Sequence, residues 1–174
     1  MTSTQDSHHS SQRERLIEHL VLGEIMRHLW LRDVTNLEVL DPQVDSAGYD
    51  LVMEANGIVR HVQLKSRSST AKTRKVSVSQ HLGQKPSGCV VWVQFESSTM
   101  RLGPFLWLGG APGKPLPSLS EFKTAKQTRA NSRGVKAERL AFREVPLSRF
   151  ERLTDVAALV ERLFGPYDRP KPKA

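Results

Sequence analysis

The hydrophobic residues in the first part of the chain recur at the spacing of an α-helix. Between Gln12 and Arg32 they return every three or four positions, which places them along one helical face. A second apolar stretch of this kind runs from Leu153 to Phe164. We therefore expect the folded chain to begin with one long helix and to end with a shorter one.

Between the two predicted helices, the pattern changes to the alternation that is typical of β-strands. The run Gly88–Phe95 differs because it is apolar at nearly every position, as expected of a central strand buried on both faces. These patterns predict an α/β fold with a central mixed β-sheet flanked by helices. The predicted strands are Asn36–Leu40, Tyr49–Ala55, Ile58–Ser66, Lys75–Ser79, Gly88–Phe95, Leu102–Leu108 and Leu140–Val145, and Gln80–Lys85 is expected to form a helical turn.

The strongest local signal is the dipeptide Asn56-Gly57, which separates two of these alternating runs. A two-residue type I′ turn requires positive φ at both of its positions, and Asn-Gly is a preferred pair for it. We therefore expect a tight hairpin in which Ala55 faces Ile58. The same turn fixes the register of the two strands.

Continued along the strands, this register sets Asp50 opposite Gln63. Lys65 lies on the same side of the hairpin as Gln63, because side chains alternate with a period of two. One face should thus present a carboxylate, an amide and an ammonium group close together. The opposite face is expected to be the core side, with Leu51, Met53, Val62 and Leu64.

The length of 174 residues favours one domain, since two domains of half that size would each have a marginal core. We expect the domain to span residues 12–164. Residues 1–11 and 165–174 are polar or rich in Pro and Lys, which predicts disordered tails. Residues 109–138 are rich in Gly, Pro, Ser and basic residues and are expected to form a long basic surface loop.

The charge of the chain favours an anionic partner. The formal net charge is +8, and residues 55–95 contain no carboxylate at all. We expect basic residues of this stretch to bind the backbone of a nucleic acid. The candidate nucleic-acid-binding residues are Arg60, Arg67, Lys72, Arg74, Lys75 and His81.

Cysteine content and hydropathy exclude several other classes of protein. A single cysteine, Cys89, rules out an intrachain disulfide and a zinc site built from several cysteines. No apolar run approaches the length of about 18 residues that a membrane span needs. We therefore expect a soluble protein of the cytoplasm.

The stretch from Gly48-Tyr49-Asp50 to Val62-Gln63-Leu64-Lys65-Ser66 resembles the signature of the PD-(D/E)XK nucleases. In that superfamily an Asp ends one strand of a hairpin, and an acidic residue or a Gln stands two positions before a Lys on the next strand. Many members also place a Glu in the first helix, where this chain has Gly23-Glu24. The resemblance implies a restriction-endonuclease-like fold, similar to that of small prokaryotic nucleases.

The resemblance also implies a metal-dependent endonuclease that hydrolyses phosphodiester bonds, in a setting of restriction, defence or repair. Asp50, the oxygen of Gln63 and the backbone carbonyl of Leu64 would bind Mg²⁺ or Mn²⁺. Lys65 would position the attacking water and help to deprotonate it. Glu24 would complete the site, and a homodimer would suit the cleavage of two strands.

Two features of the sequence leave alternatives open. Gln63 replaces the Glu of many family members and removes one negative charge from the metal site, so a nucleic-acid-binding subunit that no longer cuts is a second reading. On a helical wheel, Glu18 competes with Glu24 for the position in the site. A third possible function, also consistent with the positive net charge, is a basic adaptor that binds an acidic protein.

Overall fold

The computed structural model describes residues 9–43, 48–127, 130, 132 and 134–166. Its two helices are α1 (Ser10–Trp30) and α2 (Val156–Phe164), close to the predicted positions. Of the predicted tails, residues 1–8 and 167–174 lie outside the described residues, whereas Ser10 and Ser11 already belong to α1. Within the described part of the chain, neither helix has the length and apolar composition of a membrane span.

The main sheet has six strands in the order β1-β2-β3-β5-β6-β9. Only β3 and β5 run parallel, and the other neighbours in this sheet are antiparallel, so the sheet is mixed as expected. All eight positions of β5 are buried, which confirms a central strand covered on both faces. The strands are β1 (Glu38–Leu40), β2 (Leu51–Ala55), β3 (Ile58–Ser68), β5 (Gly88–Phe95), β6 (Leu102–Gly109) and β9 (Glu151–Leu153).

A second sheet of three strands has the order β4-β8-β7, with β4 at Lys75–Ser79, β7 at Thr124–Lys126 and β8 at Glu138–Pro146. Residues 109–138, predicted as a long surface loop, have little regular structure in their described part, but they do not lie wholly on the surface. That segment contributes β7, and its side chains Leu116, Leu119 and Ala125 are buried. The Gly, Pro and Ser content predicted a loop. The strand was missed because three residues and a few isolated apolar side chains produce little periodic signal.

Two hydrophobic cores lie on opposite faces of the main sheet. Along β5, Cys89, Val91 and Val93 pack with both helices, whereas Val90 and Trp92 pack against the small sheet. The side chains separate in this way because successive strand residues point to opposite faces. The helices therefore cover one face of the sheet, and the small sheet covers the other, so both of the predicted flanking helices lie on the same side.

Arg60 lies in the core on the helical face, with no exposed surface. Its guanidinium donates to the carbonyls of Leu163 and Arg162 at the end of α2, at 2.6 and 2.7 Å, and to that of Gly110 at 3.0 Å. The guanidinium also lies over the ring of Trp107, and burial lowers its pKa. The prediction that Arg60 contacts nucleic acid is therefore wrong, because this cation satisfies the last carbonyls of a helix.

Arg60→Ala should lower the free energy of unfolding by about 3 kcal/mol or more. The change removes three charge-assisted hydrogen bonds and leaves a cavity beside carbonyls that have lost their donor. Urea denaturation measures this loss. Arg74→Ala, an exposed arginine of the same basic stretch, should change stability by no more than about 0.5 kcal/mol. Equal effects of the two substitutions would contradict the structural role.

Candidate active site

The candidate site lies where β3 extends beyond its neighbour β2. The hairpin has the predicted register, with Ala55 facing Ile58 and Leu51 facing Val62, and Asn56 and Gly57 both have positive φ. Strand β2 begins at Leu51, whereas β3 continues to Ser68 and pairs with β5 along its other edge. Beyond Val62, no strand formed by the described residues pairs with the β2 side of β3.

Asp50 sits at this point and breaks the register. Its backbone N–H donates to the carbonyl of Val62 at 2.8 Å, although Val62 is already the partner of Leu51. Two residues of one strand thus oppose one residue of the other, which is a β-bulge. The expectation that Asp50 faces Gln63 directly is therefore wrong by one position.

The bulge directs the carboxylate of Asp50 to the open edge of β3. Its Oδ2 accepts a hydrogen bond from the backbone N–H of Leu64 at 2.7 Å. The N–H and C=O of one strand residue point toward the same neighbouring strand. The carbonyl of Leu64 consequently faces the same edge as the Asp50 carboxylate.

The segment before Asp50 is held by packing. Gly48 has φ of +78°, and a Cβ at this position would come within 2.3 Å of the Ser79 hydroxyl oxygen, so the backbone approaches β4 more closely than another residue allows. Tyr49 packs edge-on against His61, with 5.0 Å between ring centroids, and the ammonium of Lys85 lies 5.6 Å from the centroid of Tyr49. These contacts fix the direction from which the chain enters the bulge.

Asp50 and Lys65 line one cleft of about 460 Å³ between the open edge of β3 and the N-terminal half of α1. Four carboxylates and two cations share this cleft, although the chain as a whole carries a net charge of +8. The complete lining is Ser11, Glu14, Arg15, Ile17, Glu18, Asp41, Pro42, Tyr49, Asp50, Leu64, Lys65 and Ser66.

Arg15 links two of these carboxylates across the cleft. Its guanidinium contacts Glu18 at 2.6 Å on the same helix and Asp41 at 3.1 Å just after β1. The hydrogen bond that Arg15 donates to Glu18 is the main reason that the pKa of Arg15 is raised. Nothing in the local sequence pattern identified Glu14 as a site residue, since only the packing of α1 beside the open edge of β3 brings it to the cleft of Asp50.

Gln63 lies apart from this group. Its side chain is only 3% exposed and does not line the cleft. Its Oε1 accepts a hydrogen bond from the backbone N–H of Ser79 at 3.2 Å, which ties β3 to the end of β4. The structure therefore brings together only two of the three residues expected on one face. Asp50 and Lys65 line the cleft, whereas the Gln63 amide is bonded to the small sheet.

Glu24 lines a different cavity, of about 310 Å³, together with Asp155 and Leu102, and it forms an ion pair with Arg27 at 2.5 Å. The prediction that Glu24 joins Asp50 does not agree with this placement. Glu18, the alternative on the helical wheel, lies in the cleft instead. The helical pattern alone could not decide between Glu18 and Glu24, because each follows or precedes a buried residue of the helix. Glu18 is next to Ile17, and Glu24 is next to Ile25.

A divalent metal ion would find few protein ligands here. Within the part of the chain that the structure describes, no three His, Cys, Asp or Glu side chains come together closely enough to hold an ion. The cleft does offer the Asp50 carboxylate and the edge-facing carbonyl of Leu64. Oxygen ligands of this kind suit Mg²⁺, which keeps several of its own waters.

The other predicted nucleic-acid-binding residues lie on or beside the connection from β3 to β4. Lys72, Arg74, Lys75 and His81 are exposed, and Arg67 is half-buried. Lys75 forms an ion pair with Glu144 of β8 at 2.5 Å, so part of its charge is already neutralised. Arg152 of β9 was not among the predicted residues, and its charge acts on Arg67 in the same region of the molecule.

Gln63→Leu should lower the free energy of unfolding by about 1–3 kcal/mol, because it leaves the buried N–H of Ser79 without this acceptor. Urea denaturation of the variant measures the loss. Gln84→Leu changes an exposed glutamine of the next turn and is the matched control, for which a change within about 0.5 kcal/mol is expected. A Gln63→Leu variant as stable as the control would argue against the structural role.

No family model matches the chain, and no curated protein matches it either. Among solved structures, a bacterial homing endonuclease is similar to it, with a TM-score of 0.30 and 20% sequence identity. The match covers 79% of this chain and 83% of the endonuclease.

Proposed function

We propose that the chain is a metal-dependent endonuclease that cuts DNA in restriction, defence or repair, with its active site in the cleft at Asp50 and Lys65. One observation carries the proposal. The Asp50 carboxylate is fixed by the Leu64 N–H at the open edge of β3, and Asp50 lines the same cleft as Lys65. A fixed carboxylate and a lysine that line one cleft match the Asp and Lys of the PD-(D/E)XK signature. We include the restriction-endonuclease-like fold in the proposal.

The residues of the cleft fit a Mg²⁺ or Mn²⁺ ion. The Asp50 carboxylate and the Leu64 carbonyl would hold it, and the carboxylates of Glu18 and Glu14 add negative charge around it. When bound, such an ion offsets negative charge on a scissile phosphate and activates water. Gln63 has no part in holding the ion in this proposal, because its oxygen accepts from Ser79.

The chain's own side chains supply the remaining chemistry. Lys65 offers a positive charge and N–H donors to a phosphate oxygen or to the attacking water. Glu18 is held by Arg15 and orients water at the opposite wall of the cleft. Asp50 keeps its orientation because the backbone of β3, rather than a mobile side chain, donates to it.

DNA is the substrate that the charge distribution favours. The cleft itself is rich in carboxylates, which suits a cation, whereas the exposed connection from β3 to β4 carries Lys72 and Arg74. A polyanion bound along this connection would be held by contacts to its backbone, and the metal ion would lie between its phosphate and the acidic cleft.

A second candidate function is a nucleic-acid-binding subunit that has lost catalysis. The observation that favours it is Gln63, which is neutral, buried and bonded to Ser79 where many members of the family have a carboxylate. Such a protein would bind DNA equally well with or without a divalent ion.

Asp50→Asn and Lys65→Met should each reduce nicking of plasmid DNA in Mn²⁺ by about a hundredfold or more, since each removes a group that acts on the reacting phosphate. Gel analysis of nicked and linear plasmid over time measures the rate. Glu24→Gln, in the other cavity, is the matched carboxylate control and should keep the full rate. Glu18→Gln should slow the reaction.

The non-catalytic reading predicts a different set of results. The unaltered chain would then bind duplex DNA without cutting it in Mg²⁺ or Mn²⁺, and Asp50→Asn would leave that affinity unchanged. Cutting that survives both Asp50→Asn and Lys65→Met would contradict the proposed site itself.

A further inference from the structure

Arg67 of β3 extends over the sheet rather than into solvent. Its guanidinium lies 5.1 Å from the ring centroid of Trp92 on β5 and donates to the backbone carbonyl of Thr73 at 2.6 Å. That hydrogen bond draws the connection between β3 and β4 back toward the sheet. Arg74, the residue after Thr73, is thereby held near Arg67.

Arg152 approaches from the other side of the same face. The register pairs Lys65 with Trp92, Trp92 with Leu106, and Leu106 with Arg152. Paired residues of neighbouring strands share one face of a sheet, and Arg67, two positions after Lys65, shares it as well. Arg67 thus leans over Trp92 from one side while Arg152 stands on the opposite edge strand.

The three guanidinium groups are close enough to interact. Burial lowers the pKa of Arg67, and the positive charges of Arg152 and Arg74 lower it further. Among the ion pairs of the described residues, none involves Arg67, Arg74 or Arg152. Arg15, Arg27, Arg149 and Arg162 each contact a carboxylate instead.

Like charges at short range disfavour one another, and an anion between them removes the repulsion. Guanidinium groups bind phosphate with two parallel hydrogen bonds, so arginines that share one face of the sheet and lack a carboxylate partner suit a phosphate. Lys65 and Arg67 are two residues apart on one strand, about 7 Å. This is roughly the rise of two nucleotides along one strand of a duplex.

We propose that Arg67, Arg74 and Arg152 together bind a backbone phosphate of the DNA, one or two nucleotides from the phosphate held at Lys65. The inference rests on the proposed function and deepens it, since it names the contacts that set the DNA strand in the cleft. Arg152 is the new member of the site, contributed by an edge strand far from the hairpin in sequence. Trp92 supports the site by holding the guanidinium of Arg67 in place.

The test is the salt dependence of duplex binding in EDTA, where no metal-dependent cutting takes place. Fluorescence anisotropy of a labelled duplex of about 20 base pairs between about 50 and 200 mM salt gives the slope of log K against log salt. Arg152→Gln should weaken binding several-fold and reduce the slope by about 0.9, the value for one lost phosphate contact. Arg152→Lys keeps the charge and should restore most of the slope.

Arg27→Gln removes the same charge from α1 and is the matched control, because Arg27 is paired with Glu24 and lies away from these arginines. Its slope should equal that of the unaltered chain. Arg74→Gln, in the connection between the strands, should behave as Arg152→Gln does and guards against a folding defect in β9. An unchanged slope in both Arg74→Gln and Arg152→Gln, or an equal loss in Arg27→Gln, would overturn the inference.

These outcomes are independent of catalysis. Suppose that Asp50→Asn and Lys65→Met continue to cut, while Arg152→Gln reduces the slope of log K against log salt. The phosphate site then stands and the proposed active site fails. If those two variants stop cutting while the slope of Arg152→Gln does not change, the active site stands and the three arginines have another role.

Discussion

The uncovered edge of β3 is the constraint from which the candidate site follows. A strand that outruns its neighbour leaves backbone N–H groups that need acceptors, and buried or half-buried groups of this kind are almost always paired. In this chain, the carboxylate of Asp50 accepts from the first such N–H, that of Leu64. The bulge, the close approach of Gly48 to Ser79 and the packing of Tyr49 all serve to bring Asp50 to that edge. The same open edge becomes a wall of the cleft because no further strand fills it.

The hairpin could be predicted from sequence as far as its short-range signals extend. Asn56-Gly57 specifies the turn, and alternation then fixes the register to the pair Leu51 and Val62, as the structure has it. The shift at Asp50 could not be predicted, because a bulge without glycine has no distinct pattern and here depends on packing against β4. Asp50 still lines the same cleft as Lys65. The one-residue shift lies at the end of the strand, where it turns the Asp50 side chain toward the open edge of the sheet.

Arg60 shows where charge was a poor guide and periodicity would have been a better one. It belongs to the stretch without carboxylates, but it has the parity of Val62 and Leu64, which were assigned to the core side. Alternation alone therefore places Arg60 inside, where the end of α2 supplies carbonyl acceptors. The choice between Glu18 and Glu24 was different in kind. It depends on which turn of α1 lies beside the open edge, and that is a tertiary contact with no local signature.

Strand β3 also joins the acidic cleft to a basic surface of the molecule. Its edge holds the Asp50 carboxylate, and its face toward the small sheet carries Lys65 and Arg67 at fixed spacing. Groups placed on one paired strand keep their relative positions far better than groups on separate loops. Gln63 fits this division because its amide fastens the strand to β4 without adding charge between the two regions. The separation of an acidic edge from a basic face is therefore a property of one strand, and the proposed cation and phosphate contacts would need no movement of the fold to form.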